Sequence, residues 1–360
     1  MKNEYRSFLV INTFGIGDVL FSTPLIKNLQ VNFPSAKIYY LCNRKSEPLL
    51  RNHPRIFKTF VYERDEFVAA QKKSFWSGLR KYWEFISVLR REKISCAIDL
   101  SLNTPFGFFA WLAGIPKRYG LDYKNRSRFL NRKIKINGFV DKHVVDYYLD
   151  TLKLLNIPIN RYGLEVHTDL VSKEWAKEFF RKNSILEDLV IGIAPCGGDA
   201  FGKDNYVKRW SAERFSLLID RLVDEYKAKI FIFAGPKEKE DVIGIMHPLK
   251  NKKAVFEFTD TSLEKTIALV ERCQLFISND TGILRFAEGL NKKIVALYGP
   301  IDEKVYGPYP LQEGRVVVLK RDLPCRPCYR QFKLSACLDN RKCLLDISVE
   351  EVLTAIRKVM

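Results

Sequence analysis

Gly15-Ile16-Gly17-Asp18 sets a carboxylate directly behind a Gly-x-Gly pair, itself behind an apolar strand-like run. The glycines are expected to let the backbone turn tightly and bring Asp18 to the start of a helix. There the acid is either held for proton transfer or simply favoured by the helix dipole, and the stretch by itself fits both. Two phosphate loops are excluded: Leu20 stands where a dinucleotide fingerprint needs its third glycine, the second strand ends in YYLCNRK without a ribose-binding acid, and no Gly-Lys-Ser/Thr follows. Farther along, Asn279-Asp280-Thr281-Gly282 ends a strand and opens a helix. Its free amides and hydroxyl suit a phosphate, an ordinary N-cap being the other reading. Arg285, one turn on, supplies a cation for that phosphate. Cys196-Gly197-Gly198 offers backbone amides to an anion, Lys208 stands just before Trp210 and a helix, and in FAGPKEKED either Glu238 or Glu240 can accept from ribose hydroxyls.

The cysteines divide by surroundings. Cys42, Cys96, Cys196 and Cys273 lie in or beside apolar runs, where a reduced buried thiol is the default. Cys325, Cys328, Cys337 and Cys343 are spaced C-x2-C-x8-C-x5-C among charged residues and Pro324 and Pro327. The pattern suits a structural zinc or iron site. Four free thiols are the alternative, and disulfides are disfavoured in a reducing compartment.

These stretches need elements to hold them. Strand-like and helix-like runs alternate through the 360 residues, the pattern of an α/β protein on parallel sheets. Strands are expected at SFLVIN, KIYYLC and CAIDLS, and again, after a polar connection PINRYGLEVHTD, at LVIGIAP, KIFIFAG, KAVFEF, LFISN and KIVALYG. Helices are expected near 211–226, 236–249, 262–273 and 281–290. The division is 1–165, 166–345 and a C-terminal amphipathic helix over 346–360. Ligands bind beyond the carboxyl ends of such strands.

The net charge of +18 calls for an anionic partner. It is concentrated in residues 1–150, which hold 26 Lys and Arg against 13 Asp and Glu. Stretches such as QKKSFWSGLRKYW mix basic and aromatic residues in the way a lipid surface attracts. No RNP, KH, helix-turn-helix or Cys2His2 pattern supports nucleic acid instead. No apolar run of 18 residues and no signal peptide is present, so the expected location is the cytoplasm.

GDVLFSTPLIKNL, KRYG, HVVDYYLDTLKLL, KRW, FAGP and NDTGILRFAEGLNKKIVALYGP together resemble glycosyltransferase family 9, the lipopolysaccharide heptosyltransferases, over nearly the whole chain. The resemblance implies a GT-B architecture of two Rossmann-like domains facing across a cleft, the acceptor on the N-terminal one and a nucleotide-sugar on the C-terminal one. It implies inverting transfer of heptose from an ADP-activated donor to the lipopolysaccharide inner core. Carried over by motif, Asp18 is the general base, and Lys208, Asp280, Thr281 and Gly282 belong to the donor loops. Arg285 departs from the pattern, since many members carry histidine there. No Asp-x-Asp metal pair occurs, so protein cations are expected to stabilise the leaving pyrophosphate and no catalytic cofactor is implied. An anionic lipid-linked saccharide is the implied acceptor, with peripheral contact at the cytoplasmic face of the inner membrane. Competing readings are another nucleotide-sugar, a protein acceptor, an inactive sugar-nucleotide sensor, or a basic nucleic-acid-binding protein.

Overall fold

A computed structural model describes residues 5–198 and 200–360. The chain divides into two units, the first ending at Tyr162 and the second beginning at Gly163. The cut falls within the polar connection, three residues before the expected one.

The first unit is a parallel sheet of β1 (Ser7–Ile11), β2 (Lys37–Cys42), β3 (Lys58–Val61), β4 (Cys96–Asp99), β5 (Lys117–Tyr123) and β6 (Arg132–Ile136), in the order β3-β2-β1-β4-β5-β6. The apolar sequence of β1 follows from its central place, where helices cover both faces and every residue is buried. One core gathers Leu9, Ile11, Leu41, Ile86, Leu89 and Phe109. The Phe75–Arg91 helix buries Ile86 and Leu89 there, is capped by the Ser74 hydroxyl accepting from Ser77 N, and folds back on the Arg64–Lys73 helix. Gly78 permits that close approach, because a Cβ would stand 2.7 Å from the Gln71 side chain. The strands β3, β5 and β6 were not among the expected ones. RKIKI is an edge strand whose lysines and arginine face solvent, as edges favour, so its composition reads as a basic loop.

The second unit repeats the topology with β7 (Val190–Ala194), β8 (Lys229–Phe233), β9 (Val255–Phe258), β10 (Leu275–Asn279), β11 (Lys293–Tyr298) and β12 (Val316–Lys320), ordered β12-β11-β10-β7-β8-β9 and again all parallel. Its helices fall at Ala212–Tyr226, Lys239–Met246, Leu263–Arg272 and Gly282–Gly289, inside the expected spans. The final Val349–Val359 helix does not stand apart: it packs beside β11, β12 and the Ala212–Tyr226 helix. Val352, Leu353 and Ile356 are fully buried, a transfer contribution on the order of 5 kcal/mol. A short antiparallel hairpin, β13 (Tyr329–Arg330) and β14 (Lys333–Leu334), lies between the second and third clustered cysteines.

Candidate active site

In each sheet the chain leaves the first strand in one direction and the fourth in the other, so the loops after these two strands flank a crevice at the carboxyl edge. In the first unit these are the loops after β1 and β4; in the second, after β7 and β10.

In the first unit Asn12 organises the loop. Its Oδ1 accepts from Phe14 N at 3.2 Å and its Nδ2 donates to the Asp18 carbonyl at 3.0 Å, while Asn43 Nδ2 donates to the Phe14 carbonyl at 2.6 Å. Asp18 lies half-buried in the first turn of the Ile16–Phe21 helix. Gly15 corrects the expectation of a glycine-dependent turn. Its φ of −67° suits any residue, and a Cβ there would meet nothing nearer than the Asp18 carboxylate, at 3.9 Å. A larger side chain there would stand against that carboxylate. Asp99, which ends β4 beside Ile11, was not anticipated. It is 2 % exposed, burial pushes its carboxyl up to about 6, and the Ser101 amide, donating at 2.9 Å, only partly opposes this. The signal was present in CAIDLS, an acid at the end of an otherwise apolar strand.

In the second unit side chains tie several loops into one frame. Asn279 Nδ2 donates to the Pro195 carbonyl, joining the loops after β10 and β7. Glu238 accepts from Gly198 N at 2.8 Å and Gly235 N at 2.9 Å, joining the loops after β7 and β8. Gly197 lets the Gly202–Lys208 turn close down, since a Cβ would stand 2.4 Å from the Asn205 carbonyl. Thr281 caps the Gly282–Gly289 helix by accepting from Leu284 N at 3.3 Å. Lys208 ends the short turn, and its ammonium meets Asp280 at 2.8 Å with only 7 % of the side chain exposed. Trp210 sets the backbone there, donating from Nε1 to the Ile347 carbonyl at 2.9 Å.

Two expectations for these residues are corrected. Arg285 is 2 % exposed, turned inward to protein acceptors. Its guanidinium is engaged by Asp280 at 2.9 Å, the Tyr298 hydroxyl at 2.6 Å, the Tyr306 carbonyl at 2.7 Å, the Gly307 carbonyl at 3.0 Å and Glu288. A buried planar fork is best satisfied by several fixed acceptors, and these loops supply them. Glu238 is buried and accepts backbone amides on both oxygens, so it holds loops where an open ribose acceptor was expected. Glu240 is exposed on the following helix. The Cys196 side chain belongs to the core, where burial pushes its thiol well up, and only its backbone borders the loop.

The electrostatics follow from this sharing. Burial works against ionised Asp280, yet Lys208 and Arg285 together hold its carboxyl below the usual range. Glu288 is paired with Arg285 and accepts from Tyr309 N at 2.7 Å, yet there burial prevails and the carboxyl is pushed up. With two cations set against two carboxylates, the cluster has little net charge to offer. Binding an anion here therefore rests on the amides at the start of the Gly282–Gly289 helix and on the fixed direction of Lys208.

Two six-stranded parallel sheets of the same order, one crevice bearing an acid and the other a helix start with a buried lysine, define the GT-B class of glycosyltransferase. The chain belongs to glycosyltransferase family 9 (heptosyltransferase), whose sequence model matches residues 82–338. Lipopolysaccharide heptosyltransferase 2 of Escherichia coli K12 is 25% identical over 304 residues, covering 81% of this chain and 82% of the relative. Lipooligosaccharide heptosyltransferase 2 of Campylobacter jejuni serotype O:2 is 26% identical over 350 residues, covering 96% and 95%. Among solved structures, the family 9 glycosyl transferase of Veillonella parvula superposes with a TM-score of 0.82 at 24% identity, covering 99% of this chain and 97% of that one. The E. coli ADP-heptose lps heptosyltransferase II gives 0.75 at 21% identity, with 98% of each chain covered.

Proposed function

We propose that this glycosyltransferase moves a heptose from ADP-heptose to the inner core of lipopolysaccharide with inversion at the anomeric carbon. In this reading an acceptor hydroxyl attacks that carbon as Asp18 takes its proton, and the bond from the carbon to the pyrophosphate oxygen breaks. ADP leaves carrying the bond's electrons, its charge met by Lys208 and the amides of Thr281 and Gly282. Asp280 keeps Lys208 in place, and no cofactor enters the chemistry. The observation that carries the reading is the preformed Lys208–Asp280 pair beside a capped helix start, in a chain of heptosyltransferase family. The arginine at position 285 bears on this scaffold rather than on the donor directly.

The acceptor would be an anionic saccharide on a lipid, met at the cytoplasmic face of the inner membrane. Among the described residues no helix is long and apolar enough to cross a membrane. The first half of the Phe75–Arg91 helix instead exposes Phe75, Trp76, Leu79 and Trp83, three of them by more than half. Lys72, Lys73 and Arg80 lie around them. Aromatic rings with cations suit an anionic interface. Flotation with anionic vesicles is expected at low salt and to be lost in Trp76→Ser/Trp83→Ser; flotation indifferent to anionic lipid sinks the contact.

The central test is calorimetric binding of ADP-heptose and other nucleotide-sugars to wild type and Asp18→Asn, with turnover on a lipid-core acceptor. Selective ADP-heptose binding that survives Asp18→Asn while turnover disappears is the expected result. Binding of a different nucleotide-sugar alone overturns the donor assignment.

A further inference from the structure

The segment from Arg321 through Lys342 has no core of its own. Leu323 leans on the core of the second unit and the Arg326 side chain is buried, but the hairpin residues are not, and Leu338 is 93% exposed, yet the hairpin closes with Ser335 N donating to the Cys328 carbonyl at 3.0 Å. A two-stranded hairpin with nothing to bury is marginal by itself, and small coreless modules generally depend on a cross-link or a metal.

The four clustered cysteines sit around its base. Cys325, Cys328, Cys337 and Cys343 come from both sides of the hairpin and all line one cavity of about 10 Å³, room for a single water-sized body. None is in a disulfide. Cys325 and Cys328 are joined in a tight turn, the Cys328 thiol lying 3.2 Å from the Cys325 carbonyl. Cys337 Sγ accepts from the Arg341 amide at 3.2 Å, the type of outer contact that fixes a ligand's direction. The sulfurs stand wider than ligand spacing: among the described residues no three of them lie within 4.8 Å of one another. One rotamer step moves a sulfur by about 3 Å, the scale of adjustment that binding an ion would call for.

The cavity also backs onto the candidate donor loops. Val207, next to Lys208, lines it together with Pro300. Cys328 N donates to the Pro300 carbonyl at 2.9 Å, Arg326 to the Ile301 carbonyl at 2.9 Å, and Arg341 to the Tyr206 carbonyl at 3.2 Å. The Tyr329 ring lies 5.1 Å from Phe201, at the head of the turn that ends in Lys208.

We propose that Cys325, Cys328, Cys337 and Cys343 bind one divalent transition-metal ion, zinc or ferrous iron, as four thiolates, and that this ion holds the Gly202–Lys208 turn in its donor-binding position. The ion is structural, since four protein ligands leave no open coordination place. The second half of the proposal rests on the reading of Lys208 as a donor-side cation.

Elemental analysis of the purified full chain is expected to give one zinc or iron per protein, and which metal it is settles the identity. After removal of metal under reducing conditions, titration with Co²⁺ should develop thiolate-to-cobalt charge transfer and tetrahedral visible bands, saturating at one equivalent. Cys325→Ser/Cys328→Ser should abolish both bands. Absence of cobalt bands in the wild type, with all four thiols alkylating equally fast with and without metal, overturns the site. ADP binding by calorimetry then tests the coupling, with about tenfold weaker binding expected for the metal-free wild type. Equal ADP affinity in both forms overturns the coupling and leaves the metal site standing. Failure of ADP to bind either form, with cobalt bound, removes the donor-side reading instead.

Discussion

The two crevices share a strand order and differ in what holds them. The first is arranged by neutral hydrogen bonds from Asn12 and Asn43, and its acid sits half-buried beside a glycine. The second is locked by buried ions, Lys208, Asp280, Arg285 and Glu288. A group that must change protonation during a reaction is better placed where water and substrate reach it. A group that must meet charge with fixed geometry is better placed where nothing can rotate. With the roles proposed for Asp18 and Lys208, the molecule separates these requirements between its two halves.

The contrast is broken most directly at Asp18. Asp18→Asn should lower kcat by about 10²–10⁴-fold with nucleotide affinity unchanged; equal loss of affinity would place Asp18 among the donor contacts. Next comes the ionic side. Arg285→Ala leaves Asp280 with a single cation and takes from Glu288 its ion-pair partner, and should cost about 3–5 kcal/mol in a denaturant melt. A smaller loss in Arg285→Ala/Glu288→Gln than in the single variant would confirm that the stranded carboxylate is the reason.

Asp99 sharpens the comparison through pH. Its folded carboxyl, at about 6, lies above the ordinary aspartate value of 3.8, so the folded state keeps a proton that the unfolded chain has lost. Asp99 therefore costs little below pH 4, its cost grows as pH rises to 6, and the cost is constant beyond. Asp99→Asn should be more stable than wild type by about 2 kcal/mol at pH 7.5 and nearly equal at pH 4; a difference independent of pH would show that the carboxyl titrates normally. The smallest effect is expected at the helix cap, where Thr281→Ala should cost about 1 kcal/mol. Any fall in ADP affinity beyond that of a loosened helix would come from the lost hydroxyl.

Much of this arrangement was legible in the chain. NDTGILRF announces a strand end, a cap and a helix within a few residues, because each of those signals is local. Lys208 was marked by the tryptophan that follows it. Arg285 was misread because spacing places it one turn beyond the cap but cannot show its acceptors, which arrive from Tyr298, Tyr306 and Gly307. Glu238 was misread for a similar reason, since its partner Gly198 lies forty residues away along the chain. The strand β6 escaped because RKIKI carries the charges of an edge and resembles a basic loop, and β5, an inner strand, because KRYGLDY opens on two cations and carries a buried acid, Asp122.

The anchoring of Trp210 on the Ile347 carbonyl has a genetic counterpart. Ile347 leads directly into the closing helix, so a premature stop shortly before it would delete no reactive side chain yet release the indole that steadies the backbone beside Lys208. Such an allele would lose the buried face of the closing helix as well, so it should lower the stability of the whole second unit along with disturbing the nucleotide-side crevice.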